Sequence, residues 1–170
     1  TKQEITKAPT TNTEAYEYYL KAEYIHYKRQ NMQDTEVARG LLKKAIELDE
    51  HFITAKIGLG YSYFRIGEYE KAMTIYSSVL KQSKETGDQY GIVTSLRAIG
   101  QVYTDKGQID EALDYYTRSL KIHEELGDKL KIANSIIDIG NIYLNIGEYN
   151  KALDNYTESL AILERLGETD

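Results

Sequence analysis

The sequence contains no cysteine, which removes disulfide, cysteine–zinc and thiolate chemistry together. It also lacks tryptophan and has only two phenylalanines and one proline, Pro9. No apolar run approaches the roughly 18 residues needed to cross a bilayer. The opening TKQEITKAPTTNTE has none of the continuous apolar character of a signal peptide. An excess of basic residues is absent as well. The formal net charge is −6, which argues against nucleic acid, because phosphate binding needs a dense Lys/Arg surface. The same balance disfavours anionic membrane surfaces. A cytoplasmic location is expected. What remains is an ordinary folded composition of 41% hydrophobic and 28% charged residues over 170 positions. Its bias is toward tyrosine, of which there are 16. Tyrosine can bury its ring while the hydroxyl stays wet or finds a partner, so it suits thin, two-layer packing.

Those tyrosines fall in register. Gly60, Gly100 and Gly140 are spaced by 40, as are Tyr63, Tyr103 and Tyr143. The same step relates Gly67, Gly107 and Gly147; Ala72, Ala112 and Ala152; and Tyr76, Tyr116 and Tyr156. Leu80, Leu120 and Leu160 follow it, and so do Gly87, Gly127 and Gly167. A fixed period of this length signals stacked supersecondary units, each covering its neighbour's apolar face. An earlier copy is out of step: Ala38, Leu42, Ala45 and Ile46 precede Ala72, Tyr76, Val79 and Leu80 by 34. Six extra residues in the later copies lengthen the adjoining helices by one to two turns and keep the packing face.

Taken in order, residues 1–12 are polar and expected to form a flexible linker. A helix starts near Thr13, carries Tyr16, Tyr19, Leu20, Tyr24 and Tyr27, and ends around Gln30 before the polar link NMQDT. The next helix contains Gly40, which weakens it by roughly 1 kcal/mol relative to Ala. Further helices are expected near 52–66, 68–85, 88–106, 108–125, 128–146 and 148–166. The array therefore divides into helix pairs at 13–50, 51–87, 88–127 and 128–167. Gly67, Gly107 and Gly147 stand where a left-handed residue closes a helix, and Asp88 and Asp128 stand where N-caps belong. Short links make neighbouring helices antiparallel. In the last pair, Tyr149, Ala152, Leu153, Tyr156, Leu160 and Leu163 form one apolar stripe. The preceding helix is apolar nearly all round, as expected of a helix packed on several sides. Gly140 and Ala152 are small where two backbones are expected to approach.

Ile139–Gly140, Tyr143, Gly147, Ala152, Tyr156 and Leu160 resemble the tetratricopeptide repeat, and the pattern recurs from about Thr13 to Gly167. Lys56, Leu96 and Ile136 occupy the place where that family often has tryptophan. KETGD, ELGDK and RLGET run on where it often has proline. The 40-residue form resembles that of Pins-type adaptors and bacterial peptide-sensing regulators. The resemblance implies an all-α, right-handed superhelical solenoid of antiparallel helix pairs. Its concave face, lined by the first helix of each pair, would hold a peptide or partner segment.

Motifs for catalysis are weak. GLGYSY at Gly58–Tyr63 lacks the third glycine of a phosphate-binding turn and lies inside a helical pattern. His26, His51 and His123 are isolated, so no metal or other cofactor is expected, and surface positions are. The sequon at Asn155 matters only in a secreted chain and falls on a helix side read as wet. The carboxylates read as solvated helix faces, and no nucleophile–base set is found.

One constellation invites binding. Asn134, Asp138, Asn141 and Asn145 form a polar stripe on an otherwise apolar helix. One repeat earlier stand Thr94, Ala98, Gln101 and Asp105, with Arg97 beside them; before those come Thr54, Gly58, Tyr61 and Arg65. Asn and Gln present both a donor and an acceptor to a peptide backbone. Arg65 and Arg97 are placed to take a carboxylate in bidentate fashion, whereas Asp138 sits where an acidic ligand would want a cation. Tyr61, Arg65, Arg97, Gln101, Asp105, Asn134, Asp138, Asn141 and Asn145 are therefore the expected peptide-binding positions. The residues given after Gly167, ETD, are too few for the solvating helix expected to cover the last pair. Either a longer protein or a homodimer through the last helix pair is expected, because Leu153, Leu160 and Leu163 would otherwise stay bare. The function expected is a non-enzymatic protein-interaction scaffold. The alternatives are a sensory segment of a signalling enzyme or transcription regulator, favoured by the cyclase-like opening TEAYEYYLKAEY, and a self-associating assembly module.

Overall fold

A computed structural model describes residues 9–28 and 31–167. Most of the linker expected at 1–12, the end of the first helix at Gln30 and the terminal Asp170 lie outside them. Among the described residues there are eight α-helices and no strands. They divide into two compact units, which meet in sequence at Gly87 and Asp88.

The first unit holds α1 (Thr13–Lys28), α2 (Met32–Leu48), α3 (Ile53–Phe64) and α4 (Tyr69–Thr86). Each helix packs on the next. Small residues set the spacing: Ala15, Ala22, Ala38, Ala45 and Ala55 are fully buried beside Leu42 and Phe52. The Tyr19 ring tilts against Phe52 with centroids 5.2 Å apart. Ahead of α1 the chain is tied down. Thr10 Oγ1 donates to Asp49 Oδ2 at 2.5 Å, and Asn12 Nδ2 donates to the Leu48 carbonyl at 3.0 Å. The NMQDT link is more than a spacer, because Asn31 and Asp34 form a reciprocal capping box that starts α2.

The second unit holds α5 (Gln89–Asp105), α6 (Ile109–Leu126), α7 (Lys129–Asn145) and α8 (Tyr149–Gly167), again packed in succession. Ala112, Tyr116, Ile139 and Ile142 form a core that Tyr103, Leu113, Leu120 and Tyr143 flank. Of the two expected N-caps, Asp128 accepts from the Lys131 amide at 3.1 Å, and this holds its carboxyl below the usual range. Asp88 makes no such side-chain bond. Gly107 closes α5 with φ 73°, as Gly67 and Gly147 close α3 and α7.

Gly60, Gly100 and Gly140 serve a different purpose from the one expected for Gly140. A Cβ built on them would stand 2.4, 2.8 and 2.8 Å from the rings of Tyr76, Tyr116 and Tyr156. An aromatic ring, more than a neighbouring backbone, fills the space that glycine leaves. The apolar stripe expected on α8 is split. Ala152 and Ser159 turn inward, and Tyr149, Leu153 and Leu160 are 69%, 63% and 55% exposed. On α7, Ile136, Ile139 and Ile142 are buried while Leu130, Leu144 and Ile146 are exposed, so its apolar circumference is only partly covered.

Candidate functional site

The expected peptide-binding positions fall in both units. In the first unit, Tyr61 lies on α3 and Arg65 caps its C-terminus. The Arg65 guanidinium stands 5.9 Å from the Tyr61 ring centroid, and its Nη1 donates to the Tyr61 hydroxyl at 3.4 Å. His26 of α1 meets the same ring edge-on at 6.5 Å. Together with Thr35 and Ser62 they line a cleft of about 270 Å³.

In the second unit the seam runs along α5 and α7. Arg97, Gln101 and Asp105 follow four-residue steps on α5, and Asn134, Asp138, Asn141 and Asn145 follow one face of α7. The two helices are joined by an ion pair: Arg97 Nη2 and Nε stand 2.6 and 2.9 Å from Asp138 Oδ2. The guanidinium expected to receive a ligand's carboxylate is thus engaged by the chain's own Asp138. Gln101 Nε2 donates to Asp105 Oδ1 at 2.8 Å. Asn134 and Asn145 lie on the same face and are solvent-exposed.

Beneath the seam lies the reason for its register. The ring seated in the Gly100 notch belongs to Tyr116, whose hydroxyl donates to Gln101 Oε1 at 3.2 Å. The ring in the Gly140 notch belongs to Tyr156, which donates to Asn141 Oδ1 at 2.8 Å. Glycine, amide and tyrosine therefore work as a set: the notch admits the ring, and the phenol holds the amide one residue on. Burial pushes the Tyr116 hydroxyl up to about 12, with the Asp138 carboxylate adding to it. Burial raises Tyr76 in the first unit too, helped by nearby Tyr61. Both phenols stay neutral at any physiological pH.

His123, expected at the surface, is instead 6% exposed. Its Nδ1 hydrogen-bonds Ser135 Oγ at 2.9 Å across α6 and α7, so a helix partner twelve residues on explains its burial. His123 lines a cleft of about 240 Å³ with Tyr90, Arg97, Leu126, Lys131 and Asn134. Burial lowers its pKa, Lys131 and Arg97 lower it further, and Asp128 and Asp138 oppose them. The stability this neutral ring contributes is full above the ordinary value of about 6.5 and is lost as pH falls below it. Sequence reasoning missed the site because a single histidine carries no spacing signal. Asn155, read as wet, is half-buried, and its Nδ2 donates to the Lys151 carbonyl at 2.8 Å. Among the described residues no cluster of His, Asp or Glu could hold a metal ion, and no helix is long and apolar enough to cross a membrane.

Successive helix pairs, the last three in a 40-residue register with a glycine notch at Gly60, Gly100 and Gly140, define a helical-repeat protein. The chain belongs to the tetratricopeptide repeat family, whose model matches residues 51–125 and 99–165. No curated protein sequence matches it. Solved structures similar to it include aspartyl phosphate phosphatase F from Bacillus subtilis, with a TM-score of 0.76 and 16% identity over 90% of this chain and 41% of that one. A second is a signal-transduction ATPase with a tetratricopeptide repeat sensor from Pyrococcus horikoshii, with a TM-score of 0.77 and 24% identity over 90% of this chain and 24% of that one. A third is a Rap protein complexed with competence and sporulation factor, with a TM-score of 0.72 and 20% identity over 88% and 43%. The chain spans less than half the length of each of these three. At such identities the likeness carries the fold alone.

Proposed function

We propose that this chain is a non-enzymatic interaction scaffold that holds an extended segment of a partner protein on its polar seam. The observation that carries the reading is the hydrogen bond from the Tyr156 hydroxyl to Asn141 Oδ1 at 2.8 Å. A donor fixed on the amide oxygen turns the amide NH₂ outward, so a hydrogen-bonding group is oriented before any ligand arrives. Asn134 and Asn145 extend that face along α7, and on α5 Tyr116 holds the Gln101 amide oxygen in the same way while Gln101 Nε2 donates to Asp105. Tyr61 and Arg65 offer an aromatic and cationic counterpart in the first unit. Membership of a family of interaction repeats supports the assignment. Replacing Asn141 and Asn145 by Ala is expected to weaken capture of the partner by about tenfold or more, since each lost hydrogen bond is worth about 1 kcal/mol. Circular dichroism would stay unchanged. Undiminished capture in a pull-down refutes the assignment.

Two other readings have an observation behind them. A sensory segment of a larger signalling protein is supported by the likeness to the repeat sensor of the Pyrococcus ATPase. A homodimer through α7 and α8 is supported by the exposure of Tyr149, Leu153 and Leu160. For the dimer, light scattering should show a mass that rises with concentration and falls back in a Leu153→Glu, Leu160→Glu variant. A constant monomer mass excludes it.

A further inference from the structure

Repeat register separates what the fold requires from what it does not. Where α3 and α7 have Ile57 and Ile137, α5 has Arg97; where neighbouring copies have Ser83 and Leu163, α6 has His123; and Lys131 stands in register with Gly91. A packing requirement would recur every 40 residues, and these three do not. All three nevertheless converge on one cleft in the second unit.

Its walls are rich in donors. His123 is more than nine-tenths buried and uses Nδ1 on Ser135, while Nε2 has no hydrogen bond among the described residues. Arg97 engages Asp138 through Nε and Nη2, and Nη1 has no hydrogen bond among the described residues. Lys131 meets Asp128 at 3.3 Å through one of its three ammonium protons. Neither aspartate lines the cleft. Tyr90 and Leu126 supply an apolar rim.

We infer that this cleft binds a carboxylate carried on a small apolar body, received by Arg97, Lys131 and His123. The inference deepens the scaffold reading by naming the chemistry of one subsite, and it draws on residues other than Asn141 and Asn145. Its fate is thereby separable: loss of capture in the Asn variants with an inert cleft overturns this inference alone. The charged groups around His123 are Arg97 on α5, Asp128 before α7, and Lys131 and Asp138 on α7. A bound carboxylate adds a negative charge to that balance and favours the protonated ring, so affinity rises as pH falls.

The test is a titration of the full chain followed by backbone amide resonances, using isocaproate and its neutral isostere isocaproamide. Isocaproate should shift Leu126, Lys131 and Ser135, and isocaproamide should not. Arg97→Ile, which restores the residue of the flanking repeats, should weaken isocaproate about tenfold, the loss of a charge-assisted hydrogen bond. Asp138→Ala, which restores the small residue found at Ala98 and releases the guanidinium, should tighten it. Binding should be severalfold stronger at about pH 5.5 than at about pH 7.5, and His123→Ser should flatten that dependence. A blocked tripeptide with a central glutamate between two leucines, compared with its glutamine counterpart, identifies the source. Tighter binding of the glutamate peptide than of isocaproate marks a partner's side chain, and binding of the free acid alone marks a small metabolite-like ligand. Equal shifts with acid and amide, no shift at the cleft, or an unaltered affinity in Arg97→Ile overturns the inference.

Discussion

Gly60→Ala should destabilise the first unit by about 2 kcal/mol, although alanine is the better helix former. In an open helix interior the exchange gains roughly 1 kcal/mol. At Gly60, however, the new Cβ would lie 2.4 Å from Tyr76 Cε1 and 2.9 Å from Cδ1. Tyr76 is 2% exposed, so its ring has no room to swing aside. Overpacking of this kind costs about 1–3 kcal/mol, and a contact that short puts the gross cost at the upper end or beyond. Gly40 in α2 supplies the control, because nothing lies within 4 Å of its Cβ position. Gly40→Ala should stabilise by about 1 kcal/mol. Urea unfolding of both variants checks the contrast, and a Gly60→Ala, Tyr76→Leu pair should recover much of the loss. If Gly60→Ala stabilises as Gly40→Ala does, the notch is not what fixes glycine there.

Lys56→Leu should stabilise by about 2 kcal/mol, the worth of burying one more leucine side chain. Lys56 occupies the register of Leu96 and Ile136, which are 2% and 3% exposed. Its side chain is half-buried, and its ammonium donates to Gln82 Oε1 at 2.7 Å. Burial lowers the lysine pKa, with Glu50 and Asp49 opposing that shift. The charged form is therefore disfavoured where it stands, and a leucine of similar length removes that penalty. Gln82 keeps its bond to the His51 carbonyl at 3.3 Å. A lower unfolding midpoint in Lys56→Leu would mean that the Lys56–Gln82 bond outweighs the packing.

The helix pairs were legible because glycine, alanine and tyrosine carried one register over three copies. Helix ends agreed with expectation wherever a glycine closed them, since few residues adopt that backbone. The Asn31–Asp34 box was overlooked because an aspartate stands where glutamate or glutamine usually signals it. The broad stripe on α8 could not reveal which half turns inward, because periodicity gives a face and not its neighbour. The candidate seam residues were nominated by the steps along α5 and α7. The Arg97–Asp138 pair, 41 positions apart, was not, because a four-residue step says nothing about what stands opposite. His123 was misplaced for the same reason: its burial depends on Ser135 in the next helix.

The notch beneath the seam has a consequence for how such chains diversify. Tyr61, Gln101 and Asn141 each directly follow a notch glycine, and each has a solvent-exposed side chain. Aromatic, longer amide and shorter amide already alternate there without disturbing the foundation below. If the proposed seam receives a partner, its recognition could be rewritten one letter at a time, and a helix pair moved to another array would carry its own selectivity with it.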